Sequence, residues 1–209
     1  MPRLLAVSDR ASLAQSRPGL ELADWAAELD ALGVGALQLR ERDLSDRELF
    51  ELATRVRRRF GGLLVINRRI DVALAAGAEG VHLPESGPPV ESLRHGFGER
   101  ALLGRSVHDL EGVREARRAG ADYVTLAPVW ASPGKSEPVG TAVLARAAAE
   151  GLPVFALGGV DAARLDEVAR CGAVGAAGIR MFQHADDVRR AVAAAAAAWD
   201  RPARPPRLR

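Results

Sequence analysis

Short apolar runs alternate along the chain with longer segments whose apolar residues have helical spacing. The runs are apolar on both faces, which is typical of strands buried between two layers. The predicted strands lie at residues 4–7, 36–40, 63–67, 80–83, 102–106, 123–126, 154–159 and 175–179. The predicted helices lie at residues 20–32, after the N-cap Ser45, and at 70–76, 109–119, 141–150, 161–170 and 186–199.

About eight such strand-then-helix units with short loops predict a single (β/α)8 TIM barrel, an α/β fold. An open, doubly wound parallel sheet is the alternative, but it needs fewer strands and a glycine-rich first turn. The first turn here reads Ser8-Asp9-Arg10. We assign residues 1–199 to the barrel and expect the Pro/Arg-rich tail at 200–209 to be disordered.

The composition suits one domain with a sizeable core, since 48% of the residues are hydrophobic and 27% are charged. The net charge is only +2 and the aromatic content is 4%, so we expect no nucleic-acid partner. We find no secretory signal and no apolar run that could span a membrane, and therefore expect a cytoplasmic protein without a membrane partner. The single cysteine, Cys171, cannot form an intrachain disulfide.

Polar residues stand at the predicted carboxyl ends of the strands, where active sites of barrels lie. Gln38 and Arg40 alternate with leucines, so both face the barrel interior. The guanidinium of Arg40 suits a phosphate or carboxylate, although an ion pair with Glu41 or Glu85 explains it as well. His108 follows the fifth strand, where an imidazole could serve as an acid or base, or could simply cap a helix.

Two residues are the only ones of their type in the chain, and we interpret both as candidate site residues. Asn67 is the only asparagine and ends the third strand, while Lys135 is the only lysine and lies in a long loop that could act as a lid. The alternative interpretation is that each is an ordinary surface residue that occurs once by chance. Gly158 and Gly159 end the seventh strand and expose backbone N–H groups, which with the eighth strand predicts a phosphate site.

Six short motifs, in order along the barrel, together resemble the thiamine phosphate synthase superfamily, although each is weak singly. They are LQLRER at 37–42, VINRRIDVA at 65–73, GVHL at 80–83, GADYV at 120–124, SPGK at 132–135 and ALGGV at 156–160. The resemblance implies a TIM barrel that acts in thiamine biosynthesis on a phosphorylated thiazole. It also implies a homodimer.

The superfamily contains two activities. Its synthases join a pyrimidine pyrophosphate to a thiazole phosphate and use Mg²⁺ held by two aspartates, at places that here read Arg68 and PESG (84–87). An arginine reverses the charge that a hard cation needs. The TenI-like thiazole tautomerases read GVHLPE and GRSVH, as this chain does at 80–85 and 104–108. We therefore expect a thiazole tautomerase, an isomerase that uses His108 as its acid/base and needs no metal or cofactor.

The resemblance also indicates which residues bind the substrate of such an enzyme. We expect the substrate phosphate on the backbone of Gly158, Gly159, Gly178 and Ile179. From their charge alone, and not from the resemblance, we expect Arg40, Arg68 or Lys135 to bind the substrate carboxylate. The other residues expected to bind substrate are Gln38, Asn67, Ser106 and Ser132.

Two other functions remain open on the sequence. The first is a Mg²⁺-dependent thiamine phosphate synthase, and the second is a regulatory protein that binds a thiazole or thiamine phosphate without turnover. Dependence on Mg²⁺ would separate the synthase from the other two. Loss of turnover with retained binding in a His108→Ala variant would separate the tautomerase from the passive binder.

Overall fold

The computed structural model describes residues 1–97 and 101–200. Within them, parallel strands β1 to β8 close into a barrel in sequence order, and β1 also pairs with β8. This closure confirms the TIM barrel and excludes the open sheet. The strands are β1 Leu4–Val7, β2 Ala36–Leu39, β3 Leu63–Asn67, β4 Gly80–Leu83, β5 Leu102–Val107, β6 Tyr123–Leu126, β7 Val154–Ala156 and β8 Gly175–Gly178.

Helices surround the barrel on its outer side. They are α1 Arg10–Ser16, α2 Leu22–Ala31, α3 Asp46–Arg57, α4 Ile70–Ala76, α5 Val90–Phe97, α6 Leu110–Arg118, α7 Gly140–Ala148, α8 Leu165–Arg170 and α9 Ala185–Trp199. Ser45 caps α3 as predicted, because its side chain accepts a hydrogen bond from the Glu48 N–H while the Glu48 carboxylate accepts one from the Ser45 N–H. Short 3₁₀ turns, Ala162–Arg164 and Arg180–Phe182, precede α8 and α9.

Two of these helices, α1 and α5, were not predicted. The α1 segment buries only Leu13, so it lacks the apolar periodicity from which a helix is recognised. Its N-cap is nevertheless a residue type that favours helix starts, since the Asp9 side chain accepts a hydrogen bond from the Ser12 N–H at 2.9 Å. The α5 segment follows prolines at positions 88 and 89, which favoured a loop.

The apolar residues form two layers, one between the strands and the helices and one inside the barrel. The inner layer consists of Leu5, Ala36, Tyr123, Phe155 and Ala177. Gly104 makes room for it, because a Cβ at that position would collide with the Tyr123 ring. This packed floor closes the barrel beneath its carboxyl end.

The last helix lies at the C-terminal end of the described residues. Helix α9 ends at Trp199, whose indole N–H donates to the Ala173 carbonyl at 3.0 Å. Nine positions of the predicted tail, 201–209, lie outside the described residues. Among the residues that are described, no helix is long and apolar enough to cross a membrane.

Candidate active site

The polar side chains predicted for the site converge at the carboxyl ends of the strands. Gln38 in β2 is buried, at 3% exposure, and Arg40 follows it two residues later on the same side of the chain. Asn67, the last residue of β3, pairs in register with His82 of β4. Parallel pairing therefore brings these strand ends, which are far apart in the sequence, to one opening of the barrel, which we call the mouth.

A buried hydrogen-bond network centred on His82 lies below this mouth. Its Nδ1 is 3.1 Å from the Tyr123 hydroxyl, and its Nε2 is 2.9 Å from the Ser106 hydroxyl and 3.3 Å from that of Thr125. Burial, and then the positive charge of Arg40, lower the pKa of His82 to about 3. The neutral ring has one N–H, so one nitrogen donates and the other accepts. His82 is thus an interior histidine with both ring nitrogens hydrogen-bonded.

Arg40 has neither of the ion pairs that the sequence left open. The Glu41 carboxylate is buried and turned toward β1, where it accepts hydrogen bonds from the Ser8 hydroxyl at 2.5 Å and the Arg10 N–H at 3.1 Å. Burial raises the pKa of Glu41. The Glu85 carboxylate lies beside His108 instead. Arg40 is therefore half-buried at the mouth without a carboxylate within 4.0 Å among the described residues.

Arg68 turns the chain sharply at the end of β3. Its φ is 66°, a left-handed value found at no other described non-glycine residue. Its N–H donates to the His82 carbonyl at 3.0 Å, and the Arg69 N–H donates to the Asn67 carbonyl at 2.8 Å. These two bonds hold the turn, and they leave the Arg68 side chain exposed at the rim.

His108 stands on the loop after β5 and has two neighbours. Its Nδ1–H donates to the Ala127 carbonyl at 2.5 Å, and its Nε2 lies 3.9 Å from the Glu85 carboxylate. Arg105 holds the loop that carries Glu85, since its guanidinium donates to the Glu85 and Pro88 carbonyls at 2.5 and 3.0 Å. His108 thus ties the loop after β4 to the loop after β6.

The Gly158–Gly159 pair forms a tight turn after β7. Both residues have left-handed φ values, 89° and 67°. A Cβ on Gly158 would lie 2.7 Å from Pro128, and one on Gly159 would lie 2.7 Å from Trp130. The Gly158 carbonyl accepts from the Trp130 N–H at 3.1 Å, whereas neither glycine N–H has a backbone acceptor among the described residues. Those two N–H groups are available to an anion.

The remaining predicted site residues follow the carboxyl ends of β6 and β8 or end β8. Lys135 is exposed on the loop after β6, where its N–H donates to the Ser132 carbonyl at 3.2 Å. Gly178 ends β8 opposite Ala6 of β1, and Ile179 follows it. The end of β8 and the turn after β7 therefore stand on adjacent strands, as the phosphate prediction requires.

Sequence reasoning missed the residues that hold this site in place. Tyr123 was recognised only as a strand residue, Thr125 only as a polar strand end, Ser8 only as part of a loop, and Glu41 only as a possible ion-pair partner of Arg40. Their contacts depend on which residues the register places side by side. The alternation of polar and apolar positions in β6 was the one available signal for Tyr123 and Thr125.

Comparison with known proteins shows which family the chain resembles in sequence and structure. The family model described as thiamine monophosphate synthase matches residues 4–182. The chain is 47% identical over 152 residues to a Geobacter sulfurreducens protein, covering 69% of this chain and 71% of that one, whose name is given provisionally as thiamine-phosphate synthase. It is 39% identical over 188 residues to the thiamine-phosphate synthase of Haloarcula marismortui, covering 85% and 88%. The structure of thiamine phosphate pyrophosphorylase from Pyrococcus furiosus superposes with a TM-score of 0.80 at 28% identity, covering 95% of each chain.

These relatives correct the expected activity. The prediction of a thiazole tautomerase, an isomerase with His108 as acid/base, is wrong, because relatives at 37–47% identity carry the synthase name instead. The prediction relied on Arg68 at a place where the synthases have a metal-ligating aspartate, and on two short segments around Glu85 and His108. In the structure the side chains of Glu85 and His108 lie beside each other, 3.9 Å apart.

Proposed function

Because the chain belongs to the thiamine monophosphate synthase family, we propose that it is a thiamine-phosphate synthase, a transferase of thiamine biosynthesis. Its substrates would be a pyrimidine pyrophosphate and a thiazole phosphate. The observation that carries the proposal is the mouth itself. Arg40 follows β2, Arg68 follows β3 and Lys135 lies on the loop after β6, at the same ends of the strands as the two backbone N–H groups after β7 that have no backbone acceptor among the described residues.

Two anionic substrates need two separate anion sites, and we assign one to backbone N–H groups and the other to cationic side chains. The Gly158–Gly159 turn and the end of β8 at Gly178 and Ile179 suit a monophosphate, because backbone N–H groups bind phosphate without a charged side chain. Arg40, Arg68 and Lys135 line the remaining rim and suit a pyrophosphate. The pyrimidine would lie between them.

The polar groups that face inward suit the pyrimidine ring. Gln38 and Asn67 each offer an amide that both donates and accepts, which matches the mixed donors and acceptors of an aminopyrimidine. The hydroxyls of Ser106 and Ser132 would contact the pyrophosphate oxygens. Because His82 holds the Ser106 oxygen, that hydroxyl has a fixed position before substrate arrives.

The proposed reaction requires little proton transfer. The bond between the pyrimidine methylene carbon and the pyrophosphate oxygen breaks, the electron pair leaves with pyrophosphate, and the thiazole nitrogen forms a C–N bond with the methylene carbon. Negative charge grows on the leaving oxygen, so cations at Arg40, Arg68 and Lys135 stabilise the transition state more than the ground state. His108 takes no proton in this scheme.

The synthases of this superfamily use Mg²⁺ held by two aspartates, and the residues here do not fit that ion. Arg68 stands at one of the two places, and Glu85 is the sole carboxylate at the other. No group of three or more His, Cys, Asp or Glu side chains in the described part of the chain could hold a metal ion. We derive no step through magnesium.

The test is product formation by the purified protein from the two substrates together. We expect thiamine phosphate and pyrophosphate in equal amounts. Folded protein that binds either substrate yet forms no product would overturn the proposal and leave a passive binder. We propose further that the enzyme is a cytoplasmic homodimer, as the family resemblance implies, and light scattering on the purified protein tests the dimer.

A further inference from the structure

The arginine at the end of β3 stands where the family's synthases place a metal ligand. Its backbone is held in a left-handed turn by the hydrogen bond from its N–H to the His82 carbonyl. Left-handed backbone costs a non-glycine residue about 1 kcal/mol or more. The turn therefore fixes the backbone position from which the Arg68 side chain extends.

The neighbouring arginine shows what a structural role looks like here. Arg69 is half-buried and bonded to the carboxylates of Asp46 and Asp71. Those hydrogen bonds, the one to Asp71 above all, raise the pKa of Arg69. Arg68, one residue earlier, is exposed and has no carboxylate within 4.0 Å among the described residues. Arg69 therefore neutralises carboxylates of the protein, while Arg68 has no such partner among the described residues.

Arg40 adds a second cation beside it. Leu39 and Ile66 pair across β2 and β3, so Arg40 and Arg68 leave adjacent strand ends. Burial, and then the positive charge of Arg42, lower the pKa of Arg40; the negative charges of Asp9 and Glu41 raise it, and Arg68 lowers it by the smallest amount. The carboxylate of Glu41 is already engaged in hydrogen bonds elsewhere.

Two positive charges at adjacent strand ends, neither with a carboxylate within 4.0 Å among the described residues, favour a bound anion. A guanidinium donates two parallel hydrogen bonds, which match the oxygens of a phosphate. A group with two linked phosphates presents enough oxygens for two such forks at once. A carboxylate at position 68 would need a metal ion to contact the same oxygens, whereas an arginine contacts them directly.

We propose that Arg40 and Arg68 form a metal-independent binding site for a diphosphate group, with Arg68 in place of the family's metal ion. The inference rests on the proposed synthase function, since the diphosphate is that of the pyrimidine substrate. It concerns binding, however, and can be measured without turnover.

The experiment is calorimetric titration of inorganic pyrophosphate into the purified full chain, with EDTA in one series and Mg²⁺ in the other. We expect binding in EDTA, with less than about threefold tightening by Mg²⁺. Arg68→Asn should weaken metal-free binding about tenfold or more. Asparagine tolerates the left-handed backbone, so this variant keeps the turn. Arg55→Ala removes one exposed positive charge from α3, far from the mouth, and should leave the affinity unchanged.

Binding that requires Mg²⁺ would overturn the proposal, and so would an Arg68→Asn affinity equal to that of the wild type. Arg68→Asp is a second variant, which should abolish metal-free binding. Undiminished binding in Arg68→Asp would also overturn the proposal. Because no product is measured, pyrophosphate binding in EDTA would stand even if the synthase assay failed, and a Mg²⁺-dependent synthase would refute this site alone.

Discussion

The Nε2 atom of His82 lies 2.9 Å from the hydroxyl oxygen of Ser106. This contact joins the closed interior of the barrel to its open mouth, because His82 is fully buried and Ser106 is half-exposed. Tyr123 holds the other side of the imidazole. A neutral histidine therefore fixes a hydroxyl that we assign to substrate binding.

The first prediction concerns the pH dependence of stability. The pKa of folded His82 is lowered to about 3, while in the unfolded chain a histidine titrates near 6.5. Between these values the unfolded chain binds more protons, so stability is present above about pH 6.5 and is lost as the pH falls. This histidine contributes a slope of up to about 1.4 kcal/mol per pH unit.

His82→Gln removes that slope, whatever it does to stability at neutral pH. Urea unfolding near pH 7 and near pH 5 should show a smaller loss in the variant than in the wild type, by up to about 2 kcal/mol. Equal losses in the two proteins would mean that the pKa of His82 is not lowered in the folded state.

The second prediction concerns the barrel floor. Gly104→Ala should lower the free energy of unfolding by about 1–3 kcal/mol, because the new methyl group collides with the Tyr123 ring. Gly178→Ala is the matched control, since its methyl group would meet no atom closer than 3.8 Å. Chemical denaturation of both variants gives the comparison. A Gly104→Ala variant as stable as the control would show that Tyr123 can move aside.

The third prediction concerns Lys135. Its side chain is exposed, and a surface substitution away from special contacts changes stability by less than about 0.5 kcal/mol. Lys135→Ala should leave the unfolding curve in place yet lower kcat/KM by about tenfold or more, because a cation near the leaving pyrophosphate is lost. Lys135→Arg keeps the charge and should retain most of the activity. Full activity in Lys135→Ala would remove the loop from the site.

The sequence predicted the fold well because strands of a closed parallel barrel are apolar on both faces. Runs such as Leu63–Asn67 and Gly80–Leu83 have the boundaries that were predicted. Helix α1 was not predicted because only Leu13 on it is buried. Helix propensity without an apolar face gave no periodic signal.

The sequence predicted a set of candidate site residues but not their contacts. Alternation in β2 predicted that Gln38 and Arg40 face the barrel interior, since a strand's period of two fixes its faces. The direction of the Glu41 carboxylate, toward Ser8, depends on how β1 and β2 pair. No local pattern contains that information.

The reaction was the least predictable feature. His108 has the chemistry of an acid/base, but whether it works as one depends on what its ring nitrogens touch. In the structure Nδ1 donates to Ala127 and Nε2 faces Glu85. Side-chain type at a strand end therefore locates a site without specifying its reaction.

The most direct test of the account is a stoichiometric assay of the purified protein with pyrimidine pyrophosphate and thiazole phosphate together. Thiamine phosphate and released pyrophosphate are quantified in parallel, with omission of either substrate as the control. The account predicts equal amounts of the two products, and none when one substrate is missing. Folded, pyrophosphate-binding protein that forms no thiamine phosphate with EDTA or with Mg²⁺ would contradict it.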